Sequence, residues 1–380
     1  MKHFCLFIIL SLFVVSCRNV QDKVGIDPDG QLVLHFEAQS TSTFFSDRIF
    51  GRIEITPLET ADNCLIGNEP IKLISDQHHY FIQDYQNLVV FRFDRAGKFI
   101  NSIGSRGTGP GEYLDILDVD IDPDTQVVEI LAPTNKIMRY DYNGTFLAIQ
   151  NYDVSLLLSF IKKGSNYWFY THQLTGDDRL MKISENGTVM LKFLPSKTDW
   201  KIPIGNWFFE QSGNTITFKE MLSHTVYNIT DNGPVETTVL NFGKYAIPES
   251  FYKLDLTDAL LNELNNKYYA MILKYLENEQ FVYLFFCLGG FDDLPKGYYH
   301  WIVNKKTRNS VMQQFLPDNP TYAMIKEAKI LTGDNELIFM ADAQLLKACT
   351  YPFFSNADSI KDSLEEDANP VIIRLKINDF

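Results

Sequence analysis

The sequence predicts an all-β chain: a six-bladed β-propeller of four-stranded blades, closed by an N-terminal strand, with helical insertions on one face. Three observations predict it. A hairpin motif recurs about every 45 residues, two short apolar runs precede each copy, and one strand near the N-terminus has no partner except a last blade that lacks its fourth strand.

The hairpin is clearest at 88–103, where alternating runs flank Ala96-Gly97. It returns at 136–149 around Asn143-Gly144, more faintly at 179–193 around Asn186-Gly187, and at 225–239 around Asn232-Gly233. The four glycines are 47, 43 and 46 residues apart. Glycine between alternating runs marks a tight turn, because the turn needs φ > 0. Ahead of the hairpins lie Ile71–Ser75 with Tyr80–Asp84, Ile116–Ile121 with Val127–Leu131, Ser155–Ile161 with Tyr167–Thr171, and Trp207–Glu210 with Thr215–Phe218. A fifth blade fits Tyr269–Tyr275, Phe281–Cys287, Tyr299–Asn304 and Val311–Leu316. The sixth has only Met324–Leu331, Glu336–Ala341 and Val371–Asn378, and Arg52–Leu58 supplies the missing outer strand. Closing the ring limits exposed strand edges, and Pro57 suits an outer edge where no N–H is needed.

The N-terminus reads Met1-Lys2-His3, then an apolar run from Phe4 to Val15, then Ser16-Cys17. A basic start, a short apolar core and a small residue at the cut site form a secretory signal. The run is too short to span a bilayer, which needs about 20 residues. Val14-Val15-Ser16-Cys17 resembles the lipobox of bacterial lipoproteins. That resemblance implies cleavage before Cys17, lipid on its thiol and, usually, an acyl chain on its amine; a single chain would anchor only marginally. Arg18 follows, where an Asp would suggest inner-membrane retention. The expected organisation is a signal peptide at 1–16, a lipidated leader at 17–48 containing Asp27-Pro28-Asp29-Gly30, and the propeller at 49–380.

The stretch Phe93-Asp94-x-x-Gly97-Lys98-Phe99-Ile100, with Ile103-Gly104-x-x-Gly107-x-Gly109-Pro110-Gly111-Glu112-Tyr113, resembles the six-bladed β-propeller lipoproteins of Bacteroidota, which look related to NHL-type propellers. Pro57-Leu58-Glu59-Thr60 is similar to that family's opening strand. The resemblance is strong over about residues 50–150 and architectural beyond 240. It implies a fold and a place in the cell envelope, lipid-anchored to the outer membrane, with no assigned chemistry.

Net charge is −14, and −15 once residues 1–16 and their single Lys are gone. Such a balance argues against nucleic acid and against broad attraction to anionic lipid. Beyond Cys17 only Cys64, Cys287 and Cys349 remain, enough for one bridge at most and without zinc spacing.

The residues suggest little catalysis. Gly104–Tyr113 invites a phosphate-loop reading but lacks Gly-Lys-Ser/Thr and a following helix, so a tight inter-blade crossover fits better. Asp118-Val-Asp-Ile-Asp-Pro-Asp124 spaces carboxylates like a calcium loop, yet Pro123 stands where the sharp turn requires glycine; a half-buried strand fits better. His35, His78, His79, His172, His224 and His300 fall at unequal blade positions, which disfavours a metal gathered on the axis. No GxSxG occurs. No catalytic residue, metal ligand or cofactor is assigned.

The insertions say more. With strands lettered A to D from axis to rim, D–A and B–C connections share one face. The long departures, Gly243–Lys267, Gly289–Gly297 and Ala343–Pro370, all fall there. Helices are expected at 257–264 behind a Thr257 cap, at 343–347 and at 357–366. This face is the expected recognition surface, with Arg106, Trp200, Phe291, Asp292 and Tyr322 as candidate ligand-binding residues. The function expected is a membrane-anchored, non-enzymatic binding module for a protein or carbohydrate partner. The alternatives are a metal-dependent propeller lyase or lactonase with its site in the axial funnel, and a structural subunit of an outer-membrane complex.

Overall fold

The computed structural model describes residues 23–38, 42–67, 71–154, 156–171, 177–200, 202, 204–205, 208–290, 295–316, 318–319, 324–365 and 367–380. Three strands precede the first blade: β1 (Val24–Ile26), β2 (Leu32–His35) and β3 (Phe50–Pro57). Blade 1 is β4 (Ile71–Ser75), β5 (His79–Asp84), β6 (Val89–Asp94) and β7 (Phe99–Ile103). Blade 2 is β8 (Asp118–Asp122), β9 (Val127–Ala132), β10 (Lys136–Asp141) and β11 (Phe146–Asn151). Blade 3 is β12 (Leu157–Lys163), β13 (Asn166–Thr171), β14 (Asp178–Ser184) and β15 (Val189–Pro195). Blade 4 is β16 (Phe209–Ser212), β17 (Thr215–Phe218), β18 (Thr225–Thr230) and β19 (Gly233–Asn241). Blade 5 is β20 (Ala270–Glu277), β21 (Phe281–Leu288), β22 (Tyr298–Asn304) and β23 (Ser310–Phe315). Blade 6 is β24 (Ala328–Leu331), β25 (Glu336–Ala341) and β26 (Val371–Ile377), with β3 as its fourth strand.

Closure is antiparallel, with Val371 opposite Pro57 and Ile377 opposite Phe50. Arg374 on β26 ties the closure across the sheet, bonding Glu336 of β25 and Glu54 of β3. The second strands are the most buried, β21 along its whole length, because sheets pack on both of their faces. The rim strands β11 and β15 are mostly exposed.

The boundary expected at residue 49 lies too late. Residues 24–36 form a hairpin that widens blade 4 to six strands, with β2 parallel to β19 from Leu32 opposite Thr238 to His35 opposite Asn241. Asp27 closes the turn, its Oδ1 accepting from the N–H groups of Asp29 (3.0 Å) and Gln31 (2.8 Å). Leu34 is fully buried, and Phe36 packs edge-on against Phe286 and Tyr299 of blade 5. Farther along, the N–H of Ser42 donates to the Met312 carbonyl (2.7 Å), and Phe44, Phe45 and Ile49 are buried between blades 5 and 6. The described residues of the supposed leader, 23–38 and 42–48, thus lie against blade 4 and between blades 5 and 6. Strands of three and four residues give little periodicity for sequence reading to find.

All three insertions lie on the D–A and B–C side. The helical turn expected at 257–264 is a wide one, Asp258–Leu264 running on into Asn265–Lys267, and its first N–H is capped by Asp255 rather than Thr257. Asp342 caps the helix Ala343–Ala348. The helix expected at 357–366 shrinks to Asp358–Lys361. Among the described residues, no helix is long and apolar enough to cross a membrane.

Candidate functional site: the axial cavity

A cavity of about 1000 Å³ runs along the propeller axis. Its wall is made by the innermost strands, which contribute Lys72, Asp120, Glu210 and Lys329. Its mouth is formed by A–B turns, including Gln77, His78, Asp124 and Asp334, and by Gln211 near the end of β16. A–B turns lie opposite the D–A and B–C connections, so the cavity opens on the face away from the insertions. The recognition surface expected from the sequence is the opposite, insertion-bearing face.

The wall is charged but closely paired. Lys72 Nζ sits 2.6 Å from Asp118 Oδ1, and the other Asp118 oxygen accepts from the Ser159 hydroxyl (2.6 Å) and the Phe160 N–H (3.0 Å). One carboxylate therefore joins the inner strands of blades 1, 2 and 3. Lys162 pairs with Asp122 (3.3 Å), Lys274 with Glu210, and Lys329 with Glu327 (2.6 Å). Every inner strand carries a charged side chain: Lys72, Asp118 with Asp120, Lys162, Glu210, Lys274 and Lys329. Three aspartates of the supposed calcium loop, Asp118, Asp120 and Asp122, lie on β8 and bond to blade 3, and Asp124 lies in the turn that follows. Among the described residues, no cluster of three or more metal-ligating side chains occurs.

Burial and pairing set the protonation of these groups. Burial opposes charge on Lys72, but Asp118 and Asp120 outweigh it and raise its pKa. Burial pushes Asp120 up to about 7 against the pull of Lys72, so this carboxyl is half-protonated near neutrality. Burial lowers Lys219, whose Nζ donates to the Leu273 carbonyl (3.0 Å), to about 8. Glu327 is buried too, but Lys329 beside it holds it at about 2. The cavity can offer a polar ligand ammonium donors, carboxylate acceptors and one carboxyl that changes role with pH.

The sequence candidates fall elsewhere. Arg106 is exposed in the crossover between blades 1 and 2. Trp200 is 7% exposed, its indole N–H donating to the Leu254 carbonyl (2.9 Å) and its ring edge-on to Phe251 (5.8 Å). It pins the long insertion down, beside a cleft of about 120 Å³ that also holds the Arg179–Glu220 ion pair. Phe291, Asp292 and Tyr322 lie outside the described residues, as does Cys17. Of the five candidates, only Arg106 and Trp200 fall among the described residues. The glycine-rich crossover is filled from within: Glu112 Oε2 accepts from the Gly109 N–H (2.7 Å) and occupies the space a Cβ on Gly107 would need. A carboxylate of its own chain already sits where a bound anion would. Cys64, Cys287 and Cys349 are all free thiols.

The inner-strand charges are hidden in the sequence because they lie on strands of six different blades, far apart along the chain. One signal was present: several inner runs carry a charged residue between apolar neighbours, as in Ile71-Lys72-Leu73, Val119-Asp120-Ile121 and Leu273-Lys274-Tyr275.

A family model described as Domain of unknown function (DUF4934) matches residues 32–376. A protein assigned as exported from Bacteroides fragilis has a crystal structure that superposes with TM-score 0.78, covering 91% of this chain and 100% of its own at 16% identity. A member of the duf4221 family from Bacteroides vulgatus superposes with TM-score 0.54, covering 87% and 97% at 10% identity. At such identities the likeness is one of fold. No curated protein matches the sequence.

Proposed function

The chain belongs to the family described as Domain of unknown function (DUF4934), and from that premise we propose that it is an envelope lipoprotein, anchored through Cys17 to the outer membrane, acting as a non-enzymatic binding module. It takes a polar part of a protein or carbohydrate partner into its axial cavity. The observation that carries this reading is the cavity itself: about 1000 Å³, with paired ammonium and carboxylate groups around the axis. Paired charges of both signs suit a ligand rich in donors and acceptors. The lipobox at 14–17 supports the anchor, and the exported assignment of the Bacteroides fragilis protein agrees with passage out of the cytoplasm.

Two measurements test the proposal. Fractionation should find the wild-type protein in membranes and the Cys17→Ala variant soluble and folded; a variant that stayed with the membrane would overturn the anchor. Purification in mild detergent, with mass spectrometry of whatever is retained, should find a polar ligand at one per chain. Loss of that ligand on Arg106→Ala, with none lost when the cavity mouth is blocked, would return the site to the insertion-bearing face.

A further inference from the structure

The six blade-to-blade connections share a feature that neither packing nor the cavity explains. Among the described residues, each exposes one large aliphatic side chain: Leu65, Leu114, Leu156, Ile202, Leu261 and Leu316, between 39% and 62% accessible. Isolated exposed aliphatics are ordinary on a protein surface. These six recur once per connection, all on the insertion-bearing side. Among the described residues, the A–B and C–D turns of the opposite side expose no large hydrophobic residue.

The path of the chain points to what covers them. Seven residue steps separate Cys17 from Val24, the start of β1. Even fully extended they reach only about 25 Å. Because β1 and β2 are bound to blade 4, the 30-residue stretch before the closing strand gives the anchor no slack. Val24 pairs with Leu34, beside the end of β19 from which the 242–269 connection leaves for the insertion-bearing side.

We infer that the insertion-bearing face lies against the lipid surface, with the ring of aliphatics at the interface and the cavity mouth facing away from the membrane. The inference rests on the anchor reading above. The lipid on Cys17 supplies membrane attachment, and the aliphatics set the orientation. The acidic chain favours an uncharged lipid surface over an anionic one, so the contact should withstand high salt.

The test separates orientation from lipidation. The mature chain from residue 17, carrying Cys349→Ser because Cys64 and Cys287 are buried, is coupled through its Cys17 thiol to a maleimide lipid in phosphatidylcholine vesicles. Hydroxyl-radical footprinting then compares vesicle-bound with free protein. Oxidation of Leu65, Leu114, Ile202 and Leu316 should slow severalfold on tethering, while exposed His78 at the cavity mouth stays unchanged. Slowing at His78, or at the rim residues Met190 and Leu191 with the ring unaffected, would overturn the orientation. So would an unchanged pattern, or protection appearing only at high surface density, which would mean that a second copy covers the face. Because the tether is made chemically, none of these outcomes depends on whether cells lipidate Cys17; fractionation of Cys17→Ala decides that separately.

Discussion

Asp120 and His300 act on stability in opposite directions across mildly acid pH. His300 is fully buried in a cage that includes Phe44, Phe45, Phe285 and Phe315, bonds Tyr283 through Nδ1 (3.0 Å), and has no partner for Nε2. Burial lowers its pKa to about 3, below the 6.5 of the free side chain. The stability it contributes is complete above about pH 6.5 and is lost toward pH 3, at up to about 1.4 kcal/mol per pH unit. Asp120 is raised to about 7, so its contribution is complete below about pH 4 and is lost as pH rises through 7. Between about pH 4.5 and 6.5 the two offset each other. Urea midpoints across that window should therefore fall more steeply with acid in Asp120→Asn than in the wild type, and shift the opposite way in His300→Asn; profiles parallel to wild type would refute both assignments. The sequence singles out Asp120 and His300 only as members of acidic and histidine sets, since burial and neighbours create the shifts. Trp200 was legible as an unusual loop aromatic, yet what its ring and N–H bind depended on an insertion whose course sequence could not trace.

At the scale of elements, the N-terminal stretch and the hairpin turns invite direct tests. A chain starting at residue 40 lacks β1, β2 and Phe36. It should lose at least about 3 kcal/mol, from the burial of Leu34 and Phe36 alone, in denaturant unfolding; an unchanged midpoint would restore the stretch to a leader. Gly97, at φ +84°, lies in the blade 1 hairpin against the closing strand, where its carbonyl accepts from the Glu59 N–H (2.8 Å). A Cβ there would collide with the Pro57 carbonyl oxygen, whereas Gly164, also at positive φ, faces open space. Gly97→Ala should therefore cost about 2 kcal/mol or more and Gly164→Ala about 1 kcal/mol, read from unfolding midpoints; equal costs would mean that the closure contact contributes nothing. Most blade strands were legible because they run over five or more residues beside turn-forming residues; β16, β17 and β24, of four residues each, were placed by the repeat. Helices in the insertions were legible only in part: the pattern at 257–264 was real, but the wide turn and the Asp255 cap depend on how the loop packs. The shortened helix at 358–361 follows a loop held by Lys347 on the Leu364 carbonyl and Lys361 on the Cys349 carbonyl.

At the scale of the molecule, a repeat of glycine hairpins led to six blades, and an unpaired Arg52–Leu58 led to the closure that the structure forms. The centre of the ring was not legible in the same way. A propeller's axis gathers residues from strands some 50 positions apart, and only superposition of the inner strands shows that Lys72, Asp120, Glu210, Lys274 and Lys329 converge. Long loops are conspicuous in a sequence and a charged residue inside an apolar run is not, so the insertions were legible and the charged cavity at the opposite end of the axis was not. The measurement that bears most directly on the account is calorimetric titration of the co-purified ligand into the double variant Gln77→Trp/Gln211→Trp, which sets two rings at the cavity mouth from exposed positions of opposite blades. The account predicts that this variant folds and loses binding while Arg106→Ala binds like wild type; undiminished binding by the blocked variant would contradict it.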